Sequence, residues 1–222
     1  MNDAIHPHPF NFPDAALDDL RDRLSRTRWP EKETVDDWSQ GAPLDRMQAL
    51  CRYWQQNYDW RACEARLNEI NPSMTTIDGL DIHFLHLRSP ELQARPLVMT
   101  HGWPGSVLEF LEVAPMLADP RAHGGNPEDA FHVVLPTLPG FGLSGKPSKP
   151  GWTPERIARA WVVLMQRLGY ERFLAQGGDW GYAITNALGG IGAPAVGAVH
   201  FNMFPIYATM EARDAQERHA LK

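Results

Sequence analysis

The chain has 222 residues, 43% hydrophobic and 22% charged, with 21 Lys and Arg against 27 Asp and Glu and a net charge of -6. That length suits one large globular domain, or one domain with a smaller appendage, and supplies enough apolar residues for a sizeable core. The acidic balance and the scattered Lys and Arg exclude nucleic acid or an anionic membrane as an electrostatic partner.

The opening "MNDAIHPHPF" has neither a basic nor an apolar region of the kind a secretory signal needs. Two cysteines, Cys51 and Cys63, fit a reducing compartment better than a disulfide framework. The uncharged run from Trp180 to Met210 is broken by Gly189, Gly190, Gly192, Pro194, Gly197 and Pro205, so it reads as a helix, turn and strand rather than a membrane span. A soluble cytoplasmic protein is the expectation.

Residues 1–73 read as a helical arm. "DAALDDLRDRLSRTRWP" places Leu17, Leu20 and Leu24 on one helical face, ending before Pro30. The helical pattern continues through Leu44, Met47, Leu50, Trp54 and Leu67. Trp29, Trp38, Tyr53, Trp54, Tyr58 and Trp60 are expected to form a hydrophobic seam against the main domain.

From Met74 the texture changes, and residues 74–206 read as an α/β core. "MTTIDGLDIHFLHLRS" is two strands around an Asp78-Gly79 turn. "PLVMT" (96–100) is a third strand, followed by "HGWPGS" and the helical "SVLEFLEVAPML". "FHVVLPT" (131–137) is a fourth. A Gly- and Pro-rich loop leads to a helix from Pro154 to Leu168, with Ile157, Trp161, Leu164, Met165 and Leu168 on one face. "RFLAQGG" is a strand, "DWGYAITNALG" a helix and "AVGAVHFN" (195–202) a strand. Such alternation predicts a mostly parallel sheet with helices on both faces. Residues 207–222 read as the start of a lid or a charged tail.

Three candidate motifs carry little. Gly140-x-Gly142-x-x-Gly145 matches a dinucleotide fingerprint, and Gly140 with Gly145-Lys146 nearly matches a phosphate loop. Pro147 stands where the metal-binding Ser or Thr should be, and Pro147 and Pro150 interrupt the helix that would meet phosphate. His83 and His86, three apart on a strand, face opposite sides and cannot readily share a metal ion. No cofactor or metal is expected.

"QGGDWGY" is the segment where residues and context agree. It ends an apolar strand and opens a helix, and its glycines suit the strained turn of a nucleophile elbow. Asp179 stands at the tip, above the carboxyl edge of the sheet. "HGWPGS" supplies the second element: the N–H groups of Trp180 and Trp103 are placed to form an oxyanion hole. A carboxylate is already ionised at neutral pH. It can displace a leaving group in line at an sp³ carbon, such as a strained epoxide or an alkyl halide. The product is an enzyme ester that water must cleave.

These segments, with "TRWPE", "YWQQNYDWRACEARLN", "IDGLDIHFLHLRS", "LVMTHGWPGSVLEF" and "LPGFGLSGKP", resemble the microsomal-type epoxide hydrolases of the α/β-hydrolase superfamily. The resemblance runs over almost the whole chain. It implies Asp179 as nucleophile, Trp103 and Trp180 as oxyanion-hole donors, and His101 and Pro104 as residues shaping the substrate loop, with His101 not the base. Haloalkane dehalogenases share the aspartate elbow but usually carry Asn or Glu where this chain has Trp103. Tyr182 departs from the family's small residue and is expected to crowd the elbow. In the family a lid, two tyrosines that bind the epoxide oxygen, an acid and a histidine base come after the strand matching "AVGAVHFN". Neither His200 nor His219 has a base-like context. The expectation is therefore an incomplete α/β-hydrolase fold that attacks a small hydrophobic epoxide through Asp179 and is impaired in releasing the diol. A binding or scaffold role, half of a split enzyme completed by a C-terminal partner, a homo-oligomer and a dehalogenase-like hydrolase stay open.

Overall fold

The structure is a computed structural model that describes residues 4–191 and 194–203. It divides into two compact units, one of His6–Ser73 and one of Met1–Ile5 with Met74–Lys222. The segment 207–222, read above as lid or tail, lies outside the described residues.

In the first unit a two-residue strand β1 (His6–Pro7) precedes three helices, α1 (Asp14–Ser25), α2 (Leu44–Gln56) and α3 (Trp60–Asn68). Asp59 starts α3 by accepting a hydrogen bond from the Ala62 N–H, so α2 and α3 are separate helices rather than one run. Glu64 is buried and holds the entering chain, accepting from the Phe12 N–H at 2.8 Å and from Arg61 at 2.5 Å. The expected aromatic seam is largely not buried: Trp29, Trp38, Tyr53, Trp54 and Tyr58 are exposed, and α2 has no buried residue. Their spacing showed amphipathicity, which does not by itself say that a face is covered.

The second unit is built on the strands β2 (Ser73–Ile77), β3 (Leu80–Leu87), β4 (Arg95–Thr100), β5 (Phe131–Pro136), β6 (Phe173–Gly177) and β7 (Val196–Phe201). They lie in the order β2-β3-β5-β4-β6-β7. Only β3 with β5 is antiparallel among the pairs from β3 onward; β4 runs parallel to β5 and β6, and β6 to β7. The β2–β3 turn has Asp78 at φ 52° and Gly79 at φ 77°. Two consecutive positive φ values make the turn whose twist matches a hairpin, as the Asp-Gly pair predicts.

Helices α5 (Pro154–Arg167) and α6 (Trp180–Ile191) pack on one sheet face. There Trp161, Leu164, Met165, Ile184 and Leu188 meet Ile82, Phe84, Val98, Val134 and Phe173 in one buried cluster. The Trp161 indole N–H also donates to Thr100 Oγ1 at 3.1 Å, tying α5 to the carboxyl end of β4. On the opposite face lie a 3-10 turn (Val107–Phe110) and α4 (Val113–Ala118). Strand residues alternate accordingly: Val98 and Ala175 face α5 and α6, while Leu97, Met99 and Leu174 line a pocket of about 550 Å³ with Phe110 and Val113. Among the described residues no helix is long and apolar enough to cross a membrane.

His86 sits buried in β3, its Nε2 2.9 Å from the Tyr170 hydroxyl. Burial, then the charges of Arg88 and His132, lower its pKa from 6.5 to about 4. A depressed folded pKa favours the neutral ring, so this stability is complete above pH 6.5 and is lost as pH falls toward 4. Urea midpoints are expected to be flat above pH 6.5 and to drop below it, with the drop blunted in His86→Gln. An equal drop in that variant would place the effect elsewhere, with the lowered His101 and His132 as the next groups to test.

Candidate active site

The chain leaves β4 for β5 on one side and returns to β6 on the other, so the loops after β4 and β6 diverge at the carboxyl edge of the sheet. Open α/β sheets bind ligands at such a switch point. "HGWPGS" follows β4 and Gly178-Asp179 follows β6, so these two loops meet there. Thr100 and Gly177 are register partners at the strand ends beneath them.

Asp179 has φ 54°, a left-handed conformation that costs a residue with a side chain about 1 kcal/mol or more. The turn persists because its surroundings are built around glycine. A Cβ at Gly181 would land on the Thr100 carbonyl oxygen, and one at Gly102 on the Asp179 carboxylate. The first absence lets α6 start against the end of β4; the second gives the carboxylate its place. Asp179 is exposed at the tip of the turn.

The Trp103 backbone N–H donates to Asp179 Oδ1 at 2.7 Å. One carboxylate oxygen is thus held by the loop after β4. Trp180 is the first residue of α6, so its N–H has no intrahelical acceptor and belongs to the positive end of the helix. Its exposed indole lines a separate pocket with Leu138, Phe141 and Trp152. Pro104 lines the pocket of about 430 Å³ around Asp179, together with Trp103, Glu109, Phe110, Gln176 and Asn202.

His101 does not line that pocket. It is buried, accepts from the Leu138 N–H through Nε2 at 3.1 Å, and its Nδ1 lies 3.0 Å from the Gly102 carbonyl. The Leu138 donor assigns the proton to Nδ1, and burial lowers the ring's pKa. His101 therefore pins the Trp103 loop to the segment after β5 and has no nitrogen left for substrate. Tyr182 does not crowd the elbow either. Its ring meets Phe201 of β7 edge-on with centroids 4.9 Å apart.

The glycine loop read above as a false nucleotide motif closes on itself, with the Gly140 N–H donating to the Gly145 carbonyl at 2.9 Å. Among the described residues no group of three His, Cys, Asp or Glu is placed to hold a metal ion.

Two pocket residues escaped the sequence reading. Glu109, an exposed residue in the 3-10 turn after the Trp103 loop, has its pKa raised by partial desolvation of its carboxyl against an opposing Ser106 N–H, with the Asp179 charge adding to the rise. Gln176, at the end of β6, is buried with its Oε1 unpaired while its Nε2 donates to Asn202 Oδ1 at 3.2 Å. The available signal for Glu109 was "GSVLE": a Ser with Glu three residues on is a helix-start box, here one turn from the oxyanion loop.

A mostly parallel sheet whose strand-to-helix turn carries a strained aspartate, faced by a backbone donor from the neighbouring loop, has the architecture of an α/β-hydrolase. Residues 5–110 match the sequence family described as epoxide hydrolase N terminus, and residues 95–201 the alpha/beta hydrolase fold. A protein of Stigmatella aurantiaca provisionally named an epoxide hydrolase is 55% identical over 91% of this chain and 46% of its own length. Epoxide hydrolase 1 of Oryctolagus cuniculus is 34% identical over 91% of this chain and 45% of its own length. Aspergillus niger epoxide hydrolase superposes with a TM-score of 0.80 at 31% identity, over 96% of this chain and 56% of that one. The chain belongs to the epoxide hydrolase family. It spans about half the length of the curated relatives it matches.

Proposed function

We propose that Asp179 opens epoxides by attack of Oδ2 on a ring carbon, forming an alkyl ester, and that water then cleaves the ester to a diol. The observation that carries this is the 2.7 Å hydrogen bond from the Trp103 N–H to Oδ1. It fixes the carboxylate with one oxygen outward, and the same donor faces the carbonyl oxygen once the ester forms. During hydrolysis negative charge develops on that oxygen, where a preorganised N–H stabilises it. Strain in the three-membered ring makes a weak nucleophile sufficient, and the leaving oxygen departs on the side away from Asp179. The pocket is partly apolar through Trp103, Pro104, Phe110 and Met203, which suits a small hydrophobic epoxide.

No histidine among the described residues lines the pocket around Asp179. On this reading the ester is expected to form faster than it is hydrolysed, so that the alkyl-enzyme can be trapped. The test is intact-mass measurement of the 222-residue chain with styrene oxide, followed by peptide mapping. The expected result is one added epoxide mass on the peptide containing Asp179. Labelling confined to histidine or cysteine peptides would reject Asp179 as the nucleophile. Labelling by an alkyl halide of similar size, without labelling by the epoxide, would favour a dehalogenase-like reaction instead.

A further inference from the structure

At the end of the sheet away from Asp179, three rings from three elements meet: His86 of β3, His132 of β5 and Tyr170 of the turn between α5 and β6. Helix α5 ends at Arg167, and Gly169, at φ 86°, turns the chain toward β6. The turn is closed by the Gly169 N–H donating to the Gln166 carbonyl and the Tyr170 N–H to the Met165 carbonyl, both at 2.9 Å. It sets Tyr170 against both histidines. The Tyr170 hydroxyl lies 2.9 Å from His86 Nε2, with the two rings edge-on at 86°. His132 lies nearly parallel to the Tyr170 ring, at 19° with centroids 5.8 Å apart. His86 pairs with Val134 across β3 and β5, so His132, two residues before Val134, shares its face of the sheet.

Protonation of His132 has a direct structural consequence. Its Nδ1 accepts from the Ser89 N–H at 3.0 Å. An accepting ring nitrogen carries no proton, so the neutral ring has its proton on Nε2 and a second one must go to Nδ1. There it meets the Ser89 N–H, donor against donor, and the bond is lost. The ring then turns away from Ser89 and gives up its parallel contact with Tyr170. His86, buried on the other side of Tyr170, opposes a second positive charge in the same cluster.

We propose that His132, Tyr170 and His86 form a proton-operated latch, which holds the α5–β6 turn against β3 and β5 at neutral pH and releases it in acid. The charged and titratable groups facing the latch are Arg88 and His86 from β3 and its end, His132 from β5 and Tyr170 from the turn. Arg88 acts on all three rings, and neither histidine is shifted by a carboxylate. Burial first, then the Arg88 charge, lowers both histidines, with His132 adding to the effect on His86. Depressed folded values mean that the closed latch is complete above the ordinary histidine value of 6.5 and opens as pH falls toward about 4, the value of His86. The device is independent of the reaction assigned to Asp179.

The experiment is amide hydrogen exchange of the 222-residue chain from pH 4.5 to 8, corrected for the intrinsic pH dependence of exchange. Protection of the Ser89 amide and of residues 169–173 is expected to fall at least about tenfold between pH 7 and 4.5, while the central strand β4 keeps its protection. In His132→Gln, whose side-chain oxygen accepts from Ser89 without titrating, the fall is expected to shrink to about threefold or less. A merely structural contact would leave the pH profile of that variant unchanged, and this result overturns the latch. So does constant protection in the natural chain, or loss in β4 in step with the turn, which is global acid unfolding. Should His132→Gln not fold, NMR titration of the His132 ring in the natural chain decides. A midpoint matching that of the Ser89 exchange supports the latch, and a ring that titrates with no change at Ser89 overturns it.

Discussion

Asp179→Asn is expected to slow covalent capture of styrene oxide at least about 10³-fold, with the fold retained. Asn presents an amide in place of the carboxylate, so no anion is available to displace the ring oxygen. The backbone does not object, because Asn tolerates the left-handed region that Asp179 occupies at φ 54°. The side-chain oxygen still accepts from the Trp103 N–H, so the loop stays in register. Loss of capture with an unchanged urea midpoint thus isolates the chemistry from the architecture. Capture at the natural rate would mean that another nucleophile reacts, and peptide mapping would identify it.

The elbow was legible because two independent demands fall on the same residues. The turn needs glycine where backbones touch, and a strand-to-helix tip that displays one polar side chain needs that residue between those glycines; "QGGDWGY" meets both. The Asp78-Gly79 hairpin was legible for a similar reason, since few residue pairs adopt two positive φ values. The N-terminal aromatics were not. Their spacing shows an apolar helical face, but only three-dimensional packing decides whether such a face is buried, and Trp38 stays 65% exposed.

Glu109 was hidden by a local role that accounts for it fully. As the glutamate of a helix-start box it needs no further explanation in sequence, and only the loop geometry brings it beside Asp179. His101 is the opposite case. A histidine next to the oxyanion loop looks like a substrate contact until both ring nitrogens are found engaged with backbone groups. In each case the missing information was the direction of a side chain, which a strand-and-turn pattern does not carry.

Gly181→Ala is expected to destabilise the fold strongly and to displace the Asp179 turn. The new Cβ would fall on the Thr100 carbonyl oxygen, with its carbonyl carbon 2.8 Å away and the His101 carbonyl oxygen 3.1 Å away. These are backbone atoms at the end of a central strand, so no rotamer change relieves the contact. Either α6 lifts from β4 or the strand end shifts, and both pull Asp179 away from the Trp103 N–H. Overpacking of this kind costs about 1–3 kcal/mol, occasionally more, and a rigid backbone contact falls at the upper end. The urea midpoint should fall accordingly, and the rate of epoxide capture should fall with it even where the variant remains folded. Gly190→Ala is the matched control in the same helix, because a Cβ there meets nothing within 4 Å. It is expected to be neutral or to stabilise by up to about 1 kcal/mol through helix propensity, with capture unchanged. If both alanines behaved alike, close approach of α6 to β4 would not be what positions the nucleophile.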